Sequence, residues 1–494
     1  MEKDKVIVIG AGLGGLECGY ILAKNGFDVT VLEQDGQTGG CLQTFVRGRA
    51  LFDTGFHYVG GLGEGGPLHS LFRYFNLLDL PWKQLDRDCF DEVVIGDESF
   101  RFATGHDNFI EALAERFPHQ RQELRNYVSF LKNVGDHIFD SLSPRDAGGF
   151  YSESLFARSA WEFLNETISD PLLRQVLSGT SLKMELNADS LPLYVFAQIN
   201  NSFIHSAWRL QGGGSLVTDS LVRSIRSMGG KVLTDSAVTS IEVKDSRVSA
   251  VVVNGGERLE ADWVVSSLHP ALTMSLVDNG LRKIYRERIS RLENTCGMFT
   301  ANIRLKPGML KYENRNLFVH RPDADLWHPD PSRTESVLVN WSVPYDDSDY
   351  AINIDLLTPM RWDEVARWAD KRMGHRGEDY VQFKADRTEA CIELVERRLP
   401  QLRPAIDRIY TSSPLTYHHY VCQPQGSAYG VRKDWRSPMT TVLTPRTPVE
   451  NLYLTGQSLN LHGVLGVSMT SLFTCASILG METVVRDTGV MGDI

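Results

Sequence analysis

The chain opens with four aliphatic residues, Val6-Ile7-Val8-Ile9, followed directly by Gly10-Ala11-Gly12-Leu13-Gly14-Gly15. The aliphatic run reads as a strand buried on both faces of a parallel sheet. Leu16, Tyr20 and Ala23 then fall on one stripe of a helix that stops at Asn25-Gly26. Val29-Thr30-Val31-Leu32 reads as a second buried strand, ending on Glu33. Few arrangements other than a βαβ start satisfy that order. Within it the glycines at 10, 12 and 15 spell G-x-G-x-x-G: Gly10 for the tight turn, Gly12 for close approach of a diphosphate, Gly15 for helix–strand packing. The helix N-terminus offers unpaired N–H groups and partial positive charge to that diphosphate, with Ala11, Leu13 and Gly14 completing the turn. Glu33 stands where a carboxylate accepts from ribose hydroxyls. Gln34 and Asp35 supply no cation for a 2′-phosphate, so NADP is not the expected occupant. Gly61, Gly63 and Gly66 repeat the spacing, but no buried strand precedes them and Pro67 follows; a flexible loop is expected there.

At 494 residues the chain exceeds one core, and about 150 residues per domain gives two or three. A net charge of −11 with no basic tail excludes nucleic acid as a partner. Seven scattered cysteines (Cys18, Cys41, Cys89, Cys296, Cys391, Cys422, Cys475) fit a reducing compartment and form no zinc or disulfide framework. The N-terminus lacks a signal peptide's apolar core. Residues 451–481 contain no Asp, Glu, Lys or Arg, but their Gly, Ser, Thr and Asn content suits a buried strand, loop and helix better than a membrane span.

Residues 68–204 read as helical, with Leu124, Tyr127, Val128, Leu131 and Val134 at helical spacing and Leu155, Ala160 and Phe163 more loosely so. A helix over 216–228 leads into short strands at Lys231–Leu233, 238–243 and Arg247–Val253, a hairpin turn at Asn254-Gly255, and a buried strand over 261–265. Residues 299–305, 315–320, 335–342 and 350–357 read as strands of a separate antiparallel sheet, followed by helices over 362–373 and 377–399. The pattern Asn451-Leu452-Tyr453-Leu454-Thr455-Gly456 and a helix from about 463 return to the Rossmann type, and 488–494 look loose. The fold class expected is therefore α/β: a discontinuous Rossmann-type domain over 1–75, 205–275 and 445–494, with an inserted α+β domain over 76–204 and 276–444.

Gly39-Gly40 follows Glu33 closely, and Phe52-Asp53-Thr54-Gly55-Phe56-His57-Tyr58 lies a short way on. With these pieces the chain resembles the FAD-dependent phytoene desaturase, carotenoid isomerase and retinol saturase family. Further matches are Gln211-Gly212-Gly213-Gly214-Ser215-Leu216, the stretch 238–262, and residues 452–466, so the likeness runs the length of the chain in order. Residues 52–58, Thr416-Tyr417 and Gly426-Ser427-Ala428-Tyr429-Gly430 point to the retinol saturase and isomerase branch. The resemblance implies a GR2-like flavoprotein that binds FAD. Gly40 and Cys41 would lie along the ribitol and diphosphate, where relatives often carry an Arg. Val238 would meet the adenine through its backbone, and Gly456 would approach the diphosphate. Gly463, Val464 and Leu465 would aim a helix N-terminus at the isoalloxazine, whose reduced form carries negative charge. Gln34 would sit beside the ribose with Glu33.

Such an enzyme needs a proton carrier beside its flavin, and His57 and His462 are the candidates, with Tyr58, His418, His419 and Tyr420 in neighbouring segments. The His418-His419 pair has no third ligand at a sensible spacing, so no metal is expected. The implied function is redox chemistry on carbon–carbon double bonds of an apolar polyene or isoprenoid, of saturase or desaturase type, with NAD(P)H a candidate external electron donor. The alternatives are a carotenoid cis–trans isomerase using reduced FAD, a flavin amine oxidase, and a flavin-free prenyl-binding protein of the Rab GDP-dissociation inhibitor kind. A polyene needs a long apolar tunnel, for which Leu191-Pro192-Leu193-Tyr194-Val195-Phe196 and Phe203-Ile204 are candidates beside a plain core role. The expected location is cytoplasmic with peripheral membrane contact, for which residues 68–78 are apolar enough, though they equally read as a buried helix.

Overall fold

The apolar run at the N-terminus becomes the central strand of a five-stranded parallel sheet. In a computed structural model, which describes residues 3–142, 147–346 and 348–490, Lys5–Ile9 pairs on one side with Asp28–Leu32 and on the other with Trp263–Ser266. Lys231–Leu233 and Leu452–Leu454 close the two edges, so the order is Lys231–Leu233, Asp28–Leu32, Lys5–Ile9, Trp263–Ser266, Leu452–Leu454. One sheet thus draws on segments more than 400 residues apart. Its inner strands carry mostly aliphatic residues, buried because helices cover the sheet. The helix Leu13–Lys24 is buried from Leu13 to Ala23, wedged between the sheet and the helices Ser215–Ser227 and Gly463–Leu479. Gly19 permits that wedge, since a Cβ there would stand 3.2 Å from both Ile225 and Val31.

A three-stranded antiparallel meander, Val238–Lys244, Arg247–Val253 and Glu257–Glu260, rides on this unit. Its expected turn is present: Asn254 (φ 50°) and Gly255 (φ 74°) both take the left-handed conformation that a tight right-twisted hairpin requires.

The larger sheet has seven strands, in the order Ile406–Ser412, Gly297–Leu305, Asn353–Met360, Ser336–Trp341, Asn316–His320, Asp91–Ile95, Glu98–Phe102. All neighbours are antiparallel except Asn316–His320 and Asp91–Ile95, which run parallel. The helix Glu378–Glu396 packs on one side of it. A helical layer built around Arg121–Asp136 and Leu193–His205 packs on a core that includes Val93, Phe318 and Leu338 of the same sheet.

Four sequence expectations are corrected. Residues 68–204 are not uniformly helical: Trp82–Gln84 and the hairpin Asp91–Ile95/Glu98–Phe102 are strands. Asp91 and Glu92 open the run with two acids and disguise it, yet both are buried, Asp91 against Lys183 and Glu92 against Arg398 and Arg315. Leu155 and Phe163 lie in separate helices, Ala147–Phe156 and Ala160–Thr167, the second capped by the Ser159 hydroxyl. The helix expected over 362–373 is only Trp362–Val365 with a 3₁₀ turn, Ala366–Trp368, because the Trp368 ring is drawn into the core and its N–H donates to Asp379 at 2.7 Å. The 61–66 loop is tied down: Gly61 N–H donates to the Ser206 carbonyl, Gly63 N–H to the Ser206 hydroxyl, and Gly66 caps the helix Pro67–Tyr74.

Within residues 68–78 the apolar side chains of Leu68, Leu71, Phe72, Phe75 and Leu77 face inward and are fully buried. Among the described residues no helix is long and apolar enough to cross a membrane, and 451–481 form the strand Leu452–Leu454 and the helix Gly463–Leu479. Of the tail expected to be loose, Thr488 ends the helix Met481–Thr488, and residues 491–494 lie outside the described set.

Candidate functional site

A cavity of about 440 Å³ runs from the C-terminal ends of the parallel strands to the large sheet. That location follows from the topology, because in open α/β sheets the crevice outside the strand carboxyl ends collects ligands. Its first half is walled mainly by backbone. Gly10 turns at φ 91°, and a Cβ there would meet the Ser267 hydroxyl at 2.7 Å. At Gly15 a Cβ would come within 2.1 Å of the Gly10 carbonyl, so this glycine serves close packing and does not face the cavity. At Gly12, which lines the cavity, a Cβ would by contrast meet nothing within 4 Å. Gly12 caps the helix Leu13–Lys24 without any side-chain hydrogen bond, which leaves the first-turn N–H groups free for a ligand.

The C-terminal segment mirrors this. Gly456 (φ 101°) and Gly463 (φ 75°) line the cavity, and the helix Gly463–Leu479 begins at His462, again with no side-chain cap. Gly14 packs on Gly456, where a Cβ would stand 3.3 Å from its Cα, so the first and last motifs touch. Two uncapped helix N-termini therefore open onto one cavity. Its donor set and shape fit a diphosphate-bearing cofactor with an anionic ring system.

Glu33 directly follows the second strand at the cavity wall, 8% exposed. One carboxylate oxygen accepts from the Ala11 N–H at 2.9 Å and the other from the Asp35 N–H at 3.1 Å. Ala11 is buried behind the lining and positions the acid. Burial raises the Glu33 carboxyl above its ordinary range while those two N–H groups pull it down. Leu13, Gln34, Gly40, Cys41, Val238, Val464 and Leu465 also line the cavity. Gln34 lies 3.1 Å from the Cys422 sulfur, and burial pushes the Cys41 thiol up to about 11, so it stays protonated.

The second half is walled by side chains. Phe56, Tyr58, Phe203, Met298, Leu338 and Leu357 give it an apolar surface. Of the two roles open to 191–196, Leu193, Val195 and Phe196 take the core one, while Phe203, with Gln198, Ile199 and Ser202 of the same helix, reaches the cavity. Ile204 is buried away from it. His57 lines the wall with its Nδ1 buried and without a partner among the described residues; burial, then the Arg209 guanidinium, hold its imidazole down at about 4. The His462 ring stacks on Tyr429 at 4.4 Å, its Nε2 lies 3.1 Å from the Lys183 carbonyl, and burial also holds it at about 4. Both imidazoles are neutral at pH 7. Tyr420 is half exposed on the lining, while His418 packs on Trp362. Among the described residues no group of three or more His, Cys, Asp or Glu is placed to hold a metal.

Sequence reasoning missed two clusters. Glu17, on the first helix, is fully buried and accepts from the hydroxyls of Ser468 at 2.6 Å and Ser471 at 3.0 Å on the C-terminal helix. Burial lifts its carboxyl to about 8. At the substrate-side wall, Lys183 pairs with Asp91 at 2.7 Å, and the Tyr58 hydroxyl donates to the same carboxylate at 3.1 Å. A charged residue at an interior helix position was the only available signal for the first. The second joins residues 58, 91 and 183, which no local spacing links.

The sequence profile of the flavin containing amine oxidoreductase family matches residues 13–294, more than half of the chain, and the chain belongs to that family. It is accordingly a flavin-dependent oxidoreductase. Over 97% of its length it is 27% identical to the all-trans-retinol 13,14-reductase of Danio rerio, covering 86% of that protein. Prolycopene isomerase 1, a chloroplastic protein of an Oncidium hybrid cultivar, is 24% identical over 97% of this chain and 85% of its own. Among solved structures, an oxidoreductase from Methanosarcina mazei superposes with a TM-score of 0.64 at 18% identity, over 95% of this chain and 99% of the other, a likeness of fold.

Proposed function

We propose that this chain binds FAD and reduces carbon–carbon double bonds of an apolar polyene of the retinoid or carotenoid kind, with reduced nicotinamide as external electron donor. The observation that carries the reading is a single cavity with a polar backbone half and an apolar aromatic half. The reductase and isomerase names of the relatives point the same way. In this reading the N–H groups of the turn 12–14 and the Gly456 backbone hold the diphosphate, Glu33 accepts from the ribose with Gln34 beside it, and Val238 meets the adenine. Gly40 and Cys41 flank the ribitol, and Gly463, Val464 and Leu465 place the second helix N-terminus against the ring. The bound cofactor supplies two-electron chemistry. The protein orients the polyene along Phe56, Phe203 and Leu357 and excludes water. His57 and His462, being neutral, shape the site, His462 through its contact with the Lys183 carbonyl.

Incubating the purified protein anaerobically with a chemical reductant and all-trans-retinol tests this reading. A product two hydrogens heavier supports the reductase. Unchanged mass with altered double-bond geometry supports the isomerase, and hydrogen peroxide released from diamines in air supports an amine oxidase.

A further inference from the structure

We infer that Lys183 is the proton donor of this reduction, held in place by Asp91 and Tyr58; the inference rests on the reductase reading above. Saturating a double bond breaks one π bond and forms two C–H bonds. One carbon takes a hydrogen with its electron pair from the reduced flavin, and its neighbour takes a proton. The substrate gains two electrons and the flavin loses two, which reduced nicotinamide restores. The proton leaves the Lys183 ammonium, whose N–H electron pair stays on nitrogen as a lone pair, and solvent water later returns it.

Lys183 is the only lysine or arginine among the described residues that line the cavity. Its side chain is 4% exposed, and the ammonium stands 4.3 Å from the Phe203 ring centroid and 5.4 Å from that of Phe90. Asp91 holds it at 2.7 Å and is in turn fixed by the Tyr58 hydroxyl at 3.1 Å and the Asn316 amide at 2.7 Å. Its backbone is clamped from both sides. The Tyr429 hydroxyl donates to the Leu182 carbonyl at 2.6 Å, and the His462 ring sits on the Lys183 carbonyl where the helix Gly463–Leu479 begins. The ammonium is thus anchored to the element that opens the flavin side.

The other titratable groups on the apolar half are poor donors at pH 7. His57 and His462 are neutral. The hydroxyls of Tyr58 and Tyr429 are raised well above their usual range, by burial first, and burial pushes that of Tyr417 up to about 12. Burial weakens the grip of Lys183 on its proton, while Asp91 keeps the charged form populated. A buried ion pair in an apolar wall is weak support for stability but well suited to this role.

Lys183→Arg keeps the charge and the pairing with Asp91 but replaces the ammonium with a group that does not deprotonate in proteins. In the anaerobic retinol assay K183R is expected to bind FAD and quench with polyene as the wild type does, with kcat down about 100-fold or more and KM nearly unchanged. Should K183R misfold, the double variant K183M/D91N removes both charges together and is expected to keep the chromophore and lose turnover equally. Wild-type turnover in either folded variant, or a loss confined to KM, overturns the proton-donor role alone. A wild-type enzyme that leaves retinol unreduced overturns the reductase reading, and this inference with it.

Discussion

The two halves of the cavity are built on opposite plans. The half beneath the parallel sheet is made of backbone: glycines at 10, 12, 456 and 463 and two uncapped helix N-termini, with Glu33 as its main charged side chain. The half beneath the large sheet is made of side chains: aromatic rings and the buried ion pair of Lys183 and Asp91, to which the Tyr58 hydroxyl donates. Backbone recognition suits a cofactor whose diphosphate is always the same, and it tolerates drift elsewhere in the chain. Side-chain recognition can be re-cut for each substrate.

The comparison can be broken most forcefully at Gly12. Gly12→Trp projects an indole toward the backbone-walled half from a position where a Cβ meets nothing within 4 Å. The variant is expected to purify colourless, with the stability of the cofactor-free chain changed by no more than about 0.5 kcal/mol in urea unfolding. A retained yellow chromophore would place the flavin elsewhere.

Asp91→Asn attacks the other half. It strands the Lys183 charge in an aromatic wall, and the expected cost is about 3–5 kcal/mol by urea denaturation, most of it recovered in K183M/D91N. Equal instability of the single and double variants would show that shape, not charge, governs this wall.

Glu17 tests how the backbone half is held together. Its carboxyl titrates at about 8 in the fold against an ordinary value of 4.5. Native protein therefore holds a proton that the unfolded chain releases between those values, so stability present below pH 4.5 is lost as pH rises toward about 8. Glu17→Gln removes this term and is expected to flatten the decline by on the order of 5 kcal/mol across that window. Asp53 and Asp355, raised to about 8 and about 7, leave a residual slope. Parallel wild-type and E17Q stability curves would mean that Glu17 is ionised in the fold.

Phe203→Ala gives the smallest effect. Polyene affinity, read by quenching of tryptophan fluorescence, is expected to fall about tenfold, or ~1.4 kcal/mol, with flavin binding untouched. A matching loss of flavin would deny the separation of the two halves.

Legibility from sequence followed the same divide. Gly10, Gly12, Gly15 and Glu33 were readable because a βα turn dictates them at fixed spacing. Asn254-Gly255 was readable because a tight hairpin needs two left-handed residues in succession. Asp91 was not, since its strand opens with two acids and resembles a surface segment until Lys183 and Asn316 arrive from distant parts of the chain. The Trp368 turn escaped for a similar reason: a ring pulled into the core ends a helix that local periodicity would continue. Residues 68–78 were legible only as apolar, and packing alone decided that they face inward.

The most direct test of the account is to reduce the bound flavin with light in the absence of oxygen, mix it rapidly with all-trans-retinol, and follow absorbance and product mass together. The account predicts that the oxidised flavin band returns at the rate at which a product two hydrogens heavier appears. Flavin that stays reduced beside unchanged retinol would contradict it.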